Sequence, residues 1–144
     1  MRGRAEGRWR VASWDDLLSF VRMRYEIMRQ VGGDLWFNLP TTGDRTQIVA
    51  VRQVTGEDGH PWVEITSPVG KAADIDLGRL LVMAGEAEAG GVIATDGVVL
   101  FRHSVPLDDI ALDDTALDGF DRPLTLVVTV ADRLEHELTG ADEH

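Results

Sequence analysis

The sequence predicts an α+β domain in which a helix, three strands, a helix, two strands and a helix follow one another. Strand-like runs come in groups joined by short turns instead of alternating with helices. Short connections favour antiparallel pairing, because parallel neighbours need long crossovers. Three stretches with apolar residues at helical spacing surround these groups. We therefore expect a five-stranded antiparallel sheet with the helices packed mainly on one side.

The first helix is expected to begin at Ser13, whose hydroxyl can cap the backbone while two aspartates lie in the first turn. Apolar residues then recur at helical spacing as far as Val31. The glycine pair beginning at Gly32 is expected to end this helix, because glycine readily adopts the left-handed conformation found at helix ends.

Three strands are expected next, separated by turns that contain Gly43 and Gly59. They cover residues 34–39, 45–54 and 60–67. Their short connections favour an antiparallel meander.

A second helix is expected to begin at Asp74 or Asp76 and to end at the glycine pair beginning at Gly90. Asp96 and Gly97 then lie between two apolar runs, which is the strongest short-range signal for a β-hairpin. The last two strands are therefore expected to flank this dipeptide.

The last helix is expected to follow an acidic stretch, residues 106–121, that forms a short helical turn and a loop. Asp121 can cap this helix, and Pro123 is tolerated in its first turn. Apolar residues step by three and four as far as Leu138, and Gly140 is expected to end the helix.

Length and charge restrict the class of protein. With 144 residues the chain is long enough for one well-buried domain, expected at 13–140 after a flexible basic arm at 1–12 and before a tail at 141–144. The formal net charge is −11, with a local +3 in residues 1–29 and a local −9 in residues 108–144. Because such a surface repels phosphate backbones, nucleic acid is not expected as the main partner.

The cellular compartment is predicted from what the composition lacks. The sequence has no cysteine, so it offers no disulfide, no thiolate metal ligand and no cysteine nucleophile. No apolar run approaches the roughly 20 residues that a membrane-spanning helix needs. We therefore expect a cytoplasmic protein without a membrane partner.

The order of elements, and above all the stretch from Ser67 to Leu138, resembles the small fold of type III secretion chaperones and of the YbjN family of bacterial regulators. The segments that carry the resemblance are Ser67-Pro68-Val69-Gly70, Asp76-Leu77-Gly78-Arg79-Leu80-Leu81, Val99-Leu100-Phe101-Arg102-His103, Val105-Pro106-Leu107 and Val130-Ala131-Asp132-Arg133-Leu134. Pro123 departs from the pattern and puts the length of the last helix in doubt. The resemblance implies a secretion-chaperone-like domain that forms a homodimer and binds a segment of another protein without catalysing a reaction.

The polar residues do not predict a catalytic or metal site. Asp132 and His136 stand four residues apart, where they could share a metal, but two ligands make a weak site and a solvated helix face is favoured. His60 has acidic neighbours, yet neither Ser67 nor Ser104 stands in the context of a nucleophile. We expect no catalytic residue, no cofactor and no metal.

The apolar strand residues predict a binding surface. Neighbouring residues of a strand point to opposite faces, so Trp36 and Phe37 cannot both be in the core, and neither can Ile48 and Val49. An excess of apolar strand surface indicates that a partner covers the second face, although the arm at 1–12 or a loop is an alternative cover. The candidate partner-binding residues are Trp36, Phe37, Val49, Val51 and Trp62. The candidate dimer interface consists of Leu80, Leu81, Met83, Val99 and Phe101.

These observations predict a homodimeric, non-enzymatic module that binds an unknown protein or peptide, with its acidic surface steering it toward basic stretches. The alternative is a sensory regulator domain that binds a small molecule. A deep, closed cavity lined by Trp and Met would favour the sensor, whereas a flat exposed patch would favour the binding module.

Overall fold

A computed structural model describes residues 13–110 and 118–139 of the chain. The helices are α1 (Trp14–Arg24), α2 (Leu77–Ala84) and α3 (Asp118–Thr139). The strands are β1 (Ile27–Val31), β2 (Asp34–Pro40), β3 (Thr46–Thr55), β4 (Pro61–Lys71), β5 (Gly91–Thr95) and β6 (Val98–Pro106). Short 3-10 turns at Ala72–Asp74 and Leu107–Asp109 follow β4 and β6. The predicted arm and tail and the expected helix end at Gly140 lie outside the described residues.

The six strands form one antiparallel sheet in the order β1-β2-β3-β4-β6-β5. The α+β class and the antiparallel pairing are therefore confirmed, but the prediction of five strands is wrong. The strand that the sequence analysis missed is β1, which had been assigned to the first helix.

Strand β1 exists because helix α1 ends at Arg24 and the chain becomes extended at Tyr25. The glycines that were expected to end a helix instead close a hairpin, in which Val31 pairs with Asp34 and Gly32 has φ +59°. Apolar residues in a short edge strand had imitated the helical period, and their backbone groups pair with β2 instead of continuing the helix.

Several local predictions hold. The hydroxyl of Ser13 accepts a hydrogen bond from the Asp16 backbone N–H, and the Asp16 carboxylate accepts one from the Ser13 backbone N–H, so a capping box starts α1. Asp76 caps α2, but this helix ends at Ala84 rather than at the later glycine pair. Asp96 and Gly97 both have positive φ and form the hairpin turn between β5 and β6.

Helix α3 begins at Asp118, upstream of the expected cap at Asp121, so Pro123 lies inside the helix. Proline has no backbone N–H, and the carbonyl of Gly119 therefore lacks its usual intrahelical donor. The helix nevertheless continues to Thr139 and packs along β4, with further contacts to β3 and β6.

One hydrophobic core joins all three helices to one face of the sheet. The strands contribute alternate residues to it, as expected when only one face of a sheet is covered. The largest fully buried side chains are Phe37, Phe101, Phe120, Leu17, Leu35, Ile65, Ile110, Leu124, Leu134, Val21, Val49 and Val51.

Pro68 interrupts the hydrogen bonding of β4, a strand in the middle of the sheet. Regular pairing of β3 with β4 ends at Ala50 and Thr66. Beyond this point the Ser67 hydroxyl donates to the Ile48 carbonyl at 2.6 Å, and the side-chain amide of Gln47 donates to the Pro68 carbonyl at 2.6 Å. Proline has no N–H to donate, so the Ser67 hydroxyl supplies a donor to β3, while the Gln47 amide satisfies the Pro68 carbonyl where regular pairing has ended.

An aromatic and ionic contact fixes α1 to the start of α3. The Tyr25 hydroxyl donates to Asp121 at 2.6 Å, and Arg24 forms an ion pair with the same carboxylate at 2.9 Å. The Tyr25 ring stacks on Phe37 with centroids 5.1 Å apart. Burial, followed by the hydrogen bond and the negative charge of Asp121, raises the pKa of Tyr25 to about 12.

Tyr25 is the sole tyrosine in the sequence, so an ultraviolet titration of tyrosinate reports on it alone. We expect the native protein to titrate with a midpoint near pH 12 rather than 10. Because the pKa is raised on folding, the stabilisation from Tyr25 is fully present below pH 10 and is lost as the pH rises through 12. Asp121→Asn should move the midpoint toward 10, because the amide removes the negative charge.

Asp74→Asn, at an exposed aspartate far along the chain, is the control and should leave this midpoint unchanged. A native titration indistinguishable from that of the urea-unfolded chain would contradict the contact between Tyr25 and Asp121.

Candidate functional site

The face of the sheet opposite the core is the candidate functional site. Within residues 13–110 and 118–139, the helices direct their buried side chains into the single core on the other face. We call this second surface the open face. It is formed by Trp36, Ile48, Ala50, Arg52, Val54, Trp62, Glu64, Thr66, Pro68, Ile93, Leu100, Arg102 and Ser104.

An apolar row crosses the open face from β3 to β5. Pro68 pairs with Leu100, and Leu100 pairs with Ile93 on the edge strand. Ile48, on the neighbouring strand β3, forms the other end of the row and is 39% exposed. The sequence analysis did not select these residues, although strand alternation had already placed Ile48 opposite the chosen valine Val49.

A charged cluster lies beside the apolar row. The Arg52 Nε donates to Glu64 Oε1 at 2.7 Å, and the Arg102 Nη1 lies 3.7 Å from Glu64 Oε2. Glu64 is 8% exposed, whereas the side chains of both arginines are about half exposed. The three residues come from three different strands, so only the sheet register brings them together.

Trp62 is held in place by the hairpin between β3 and β4. Its indole lies so close to Gly56 that a Cβ atom at that position would overlap it. A side chain at position 56 would therefore displace the indole. The half-buried indole forms a fixed aromatic edge at one end of the open face, next to Val54.

The structure divides the predicted partner-binding residues between the two faces. Trp36 and Trp62 lie on the open face and are half-buried. Phe37, Val49 and Val51 are fully buried in the core, so their assignment to an accessible surface is wrong. The error arises because strand alternation separates two faces without saying which one the helices cover.

The predicted dimer residues are divided in the same way. Leu80, Val99 and Phe101 are buried in the core and cannot contact a second chain, so this part of the prediction is wrong. Met83 is half-buried, whereas Leu81 is 64% exposed on α2. Two further exposed apolar side chains of α2, Leu77 and Val82, lie near it in the sequence.

A cleft of about 970 Å³ lies between the end of β6 and α3. Its walls include His103, Val105, Leu126, Val130 and Arg133, and no Trp or Met of the described residues lines it. Burial lowers the pKa of His103, which favours the neutral imidazole. The cleft therefore lacks the aromatic and methionine lining that the sequence analysis set as the mark of a small-molecule sensor.

The metal pair that the sequence analysis considered has another role. Asp132 is 5% exposed and accepts two hydrogen bonds from Arg45, at 3.1 and 2.8 Å, so its placement on a solvated helix face is wrong. The part of the chain that the structure describes contains no group of three His, Asp or Glu side chains suited to a metal ion.

The remaining polar candidates lie apart from one another. His60 is exposed and contacts Asp58, with 3.2 Å between Nδ1 and Oδ2. Ser67 is buried and uses its hydroxyl to join β3 to β4. Ser104 lies across from Glu64 on the open face, while the neighbouring His103 lines the cleft.

No family model matches the chain, and no match to it was found among curated proteins or among solved structures. The resemblance to YbjN proteins and type III secretion chaperones therefore stays a prediction. Within the described ranges no helix has the length and apolar character that crossing a membrane requires.

Asp132→Asn should lower the free energy of unfolding by about 1–3 kcal/mol near neutral pH, because the buried hydrogen bonds to Arg45 lose their charge. The Arg45 hydrogen bonds hold the pKa of Asp132 below its ordinary value of 3.8. This stabilisation is present above pH 3.8 and is lost as the pH falls through the lower, folded-state pKa. Urea unfolding of both proteins between neutral pH and acid should show the difference shrinking.

Asp74→Asn serves again as the exposed control, with an expected change within about 0.5 kcal/mol. A difference between wild type and Asp132→Asn that persists unchanged into acid would show that the carboxylate charge is not responsible.

Proposed function

We propose that this protein is a non-enzymatic module that binds an extended segment of another protein on its open face. The observation that carries the proposal is the apolar row formed by Ile48, Pro68, Leu100 and Ile93. This row lies on a face that none of the described helices covers. Half-covered apolar side chains of this kind gain free energy when a partner removes them from water.

The size of the apolar row limits the affinity that it can supply. Complete burial of one large aliphatic side chain contributes roughly 1.5–3 kcal/mol, and these side chains are already partly buried. A short segment that crosses the row therefore gains several kcal/mol before the cost of ordering is subtracted. Micromolar affinity corresponds to about 8 kcal/mol, so the apolar row alone supports only weak, reversible binding, and other contacts of the segment must supply the rest.

The alternative function, a small-molecule sensor, has weaker support. The cleft of about 970 Å³ between β6 and α3 has mainly apolar walls, but the charged side chains of Arg122 and Arg133 also line it, and no Trp or Met of the described residues does. The open face offers a broad apolar surface with aromatic edges, which fits a polypeptide better than a small molecule.

We also propose that the protein forms a homodimer through α2 and the neighbouring strand β5. Leu77, Leu81 and Val82 expose between 50 and 69% of their surface on a helix that contacts β5. The edge strand β5 contains no charged residue, whereas the opposite edge, β1, has Arg29 and an irregular register. Charges and bulges protect sheet edges from unwanted pairing, so β5 is the edge suited to a second chain.

Homodimerisation and binding of a protein segment are the properties implied by the resemblance to YbjN proteins and type III secretion chaperones. The open face supports the binding of a segment, and the exposed α2 residues support the dimer. The cytoplasmic location proposed from the composition has no bearing on either surface.

A displayed library of random 12-residue peptides provides a defined probe of the open face. We expect the wild-type protein to select peptides rich in apolar residues. Ile48→Asp and Leu100→Asp should each weaken binding of a selected peptide at least tenfold, because each places a charge in the apolar row. Met23→Asp is the matched control, since Met23 is an exposed apolar residue of α1 outside this face.

The affinities are measured by fluorescence anisotropy of labelled peptides, and thermal unfolding confirms that each variant is folded. Equal affinity of Leu100→Asp and wild type for every selected peptide would remove the open face as the binding site.

The dimer is tested by sedimentation equilibrium at micromolar concentration. Wild type should have twice the 15.8 kDa mass of the chain, and Leu81→Arg should shift it to the monomer, because the arginine charge would be buried in the interface. Met23→Arg, an equivalent change on α1, should remain dimeric. A wild-type protein that sediments as a monomer throughout would contradict this interface.

A further inference from the structure

We infer that the segment bound by the open face carries a carboxylate, which binds between Arg52 and Arg102 while neighbouring apolar residues cover the apolar row. This inference rests on the proposed function and specifies the chemistry of the partner. It differs from the expectation that the acidic surface of the protein selects a basic partner.

The charged cluster contains more cations than anions. One carboxylate, that of Glu64, faces two guanidinium groups, so the cluster has a net charge of +1. The contact from Arg102 to Glu64 is 3.7 Å, which is too long for a hydrogen bond. Among the described residues, this ion pair is the sole polar contact of the Arg102 side chain. Its N–H donors are directed at solvent or at a partner.

The anion of the cluster is buried, whereas its two cations are exposed. Glu64 is almost completely shielded, so its charge holds the two arginines from below the surface and is poorly placed to meet a partner. The side chains of Arg52 and Arg102 are 49% and 46% exposed. A partner therefore meets cations, and guanidinium groups bind carboxylates through paired, charge-assisted hydrogen bonds.

Carboxylates near the cluster limit the size of the cationic area. Glu57 and Asp58, in the turn between β3 and β4, line the same pocket as Glu64 and Arg102. The cationic area is therefore confined to the two arginine side chains, on a chain with a formal net charge of −11. An area of this size suits a segment with one or two carboxylates.

The charge of the rest of the chain also distinguishes a peptide from single-stranded nucleic acid. Nucleic acid would offer phosphates to the arginines and bases to the two tryptophans of the face. A long polyanion, however, would extend beyond the two arginines toward Glu57, Asp58 and a chain with a formal net charge of −11, which repel it. A short segment with one or two carboxylates satisfies the arginines without this cost.

The position of the cluster sets the spacing in the partner. Arg102 and Leu100 are two residues apart on β6 and point to the same face, about 7 Å from each other along the strand. An extended partner also places every second side chain on one side. We therefore expect an acidic residue two positions from a large apolar residue in the bound segment.

The experiment starts from the peptides that the full-length protein selects from the random 12-residue library. We expect Asp or Glu to be enriched two positions from Leu, Ile, Phe or Trp. For a selected peptide, replacing this acid by its amide should weaken binding about three- to tenfold, as expected for a half-exposed charge-assisted contact. The double variant Arg52→Gln/Arg102→Gln should bind the acidic peptide and its amide form with equal affinity, because the cationic partners of the acid are absent.

Glu64→Gln is a second test variant. If the cluster only stabilised the fold, this change would not strengthen binding of the acidic peptide. It removes the carboxylate that competes for the two arginines, so the acidic peptide should bind more tightly, while the amide peptide should be unchanged. Met23→Gln, outside the face, is the control for both variants.

The outcomes separate this inference from the proposed function. Apolar peptides that depend on Leu100 but show no preference for an acid would overturn the inference and leave the proposed function standing. Failure to select any peptide that depends on the open face would overturn both. Selective binding of a 12-nucleotide single-stranded oligothymidylate through Arg52 and Arg102 would also overturn it, as would binding of peptide only after removal of residues 1–12.

Discussion

The placement of all three helices on one side of a six-stranded sheet is the constraint on which the rest of the structure depends. A sheet has two faces of equal area, and one core accounts for the buried side chains of α1, α2 and α3. The side chains that alternate with this core must therefore meet solvent, an undescribed part of the chain or a partner. The apolar row and the arginine cluster are consequences of this one-sided covering.

Strand β4 gives the open face its fixed shape. It pairs with β3 and β6 and supports α3 on the core side. Where Pro68 cannot contribute to the ladder, Ser67 and Gln47 supply hydrogen bonds from their side chains. Trp62 lies against Gly56 at the other end of the same strand. A face held in this way presents its residues with little motion to order on binding, which favours recognition by a preformed surface.

Local signals in the sequence were enough for the α+β class, the capping box at Ser13 and the hairpin at Asp96. They were not enough for β1, because five residues in an edge strand have too few alternations to exclude a helix. The contact between Arg45 and Asp132 joins positions 87 residues apart, and no local pattern records it. The candidate site was predicted in part: alternation identified a second apolar face but not which residues belong to it. The sheet register decides that, and it also creates the arginine cluster.

The central claim is that the open face is bare in the free protein, and the accessibility of its methyl groups tests this most directly. A soluble paramagnetic agent relaxes methyl protons according to their distance from solvent. The account predicts strong relaxation of Ile48, Ile93 and Leu100 in the full-length protein, and weak relaxation of the core residues Ile65 and Val51. Relaxation of Ile48 and Leu100 as weak as that of Ile65 would show that another part of the chain, or a second copy, already covers this face.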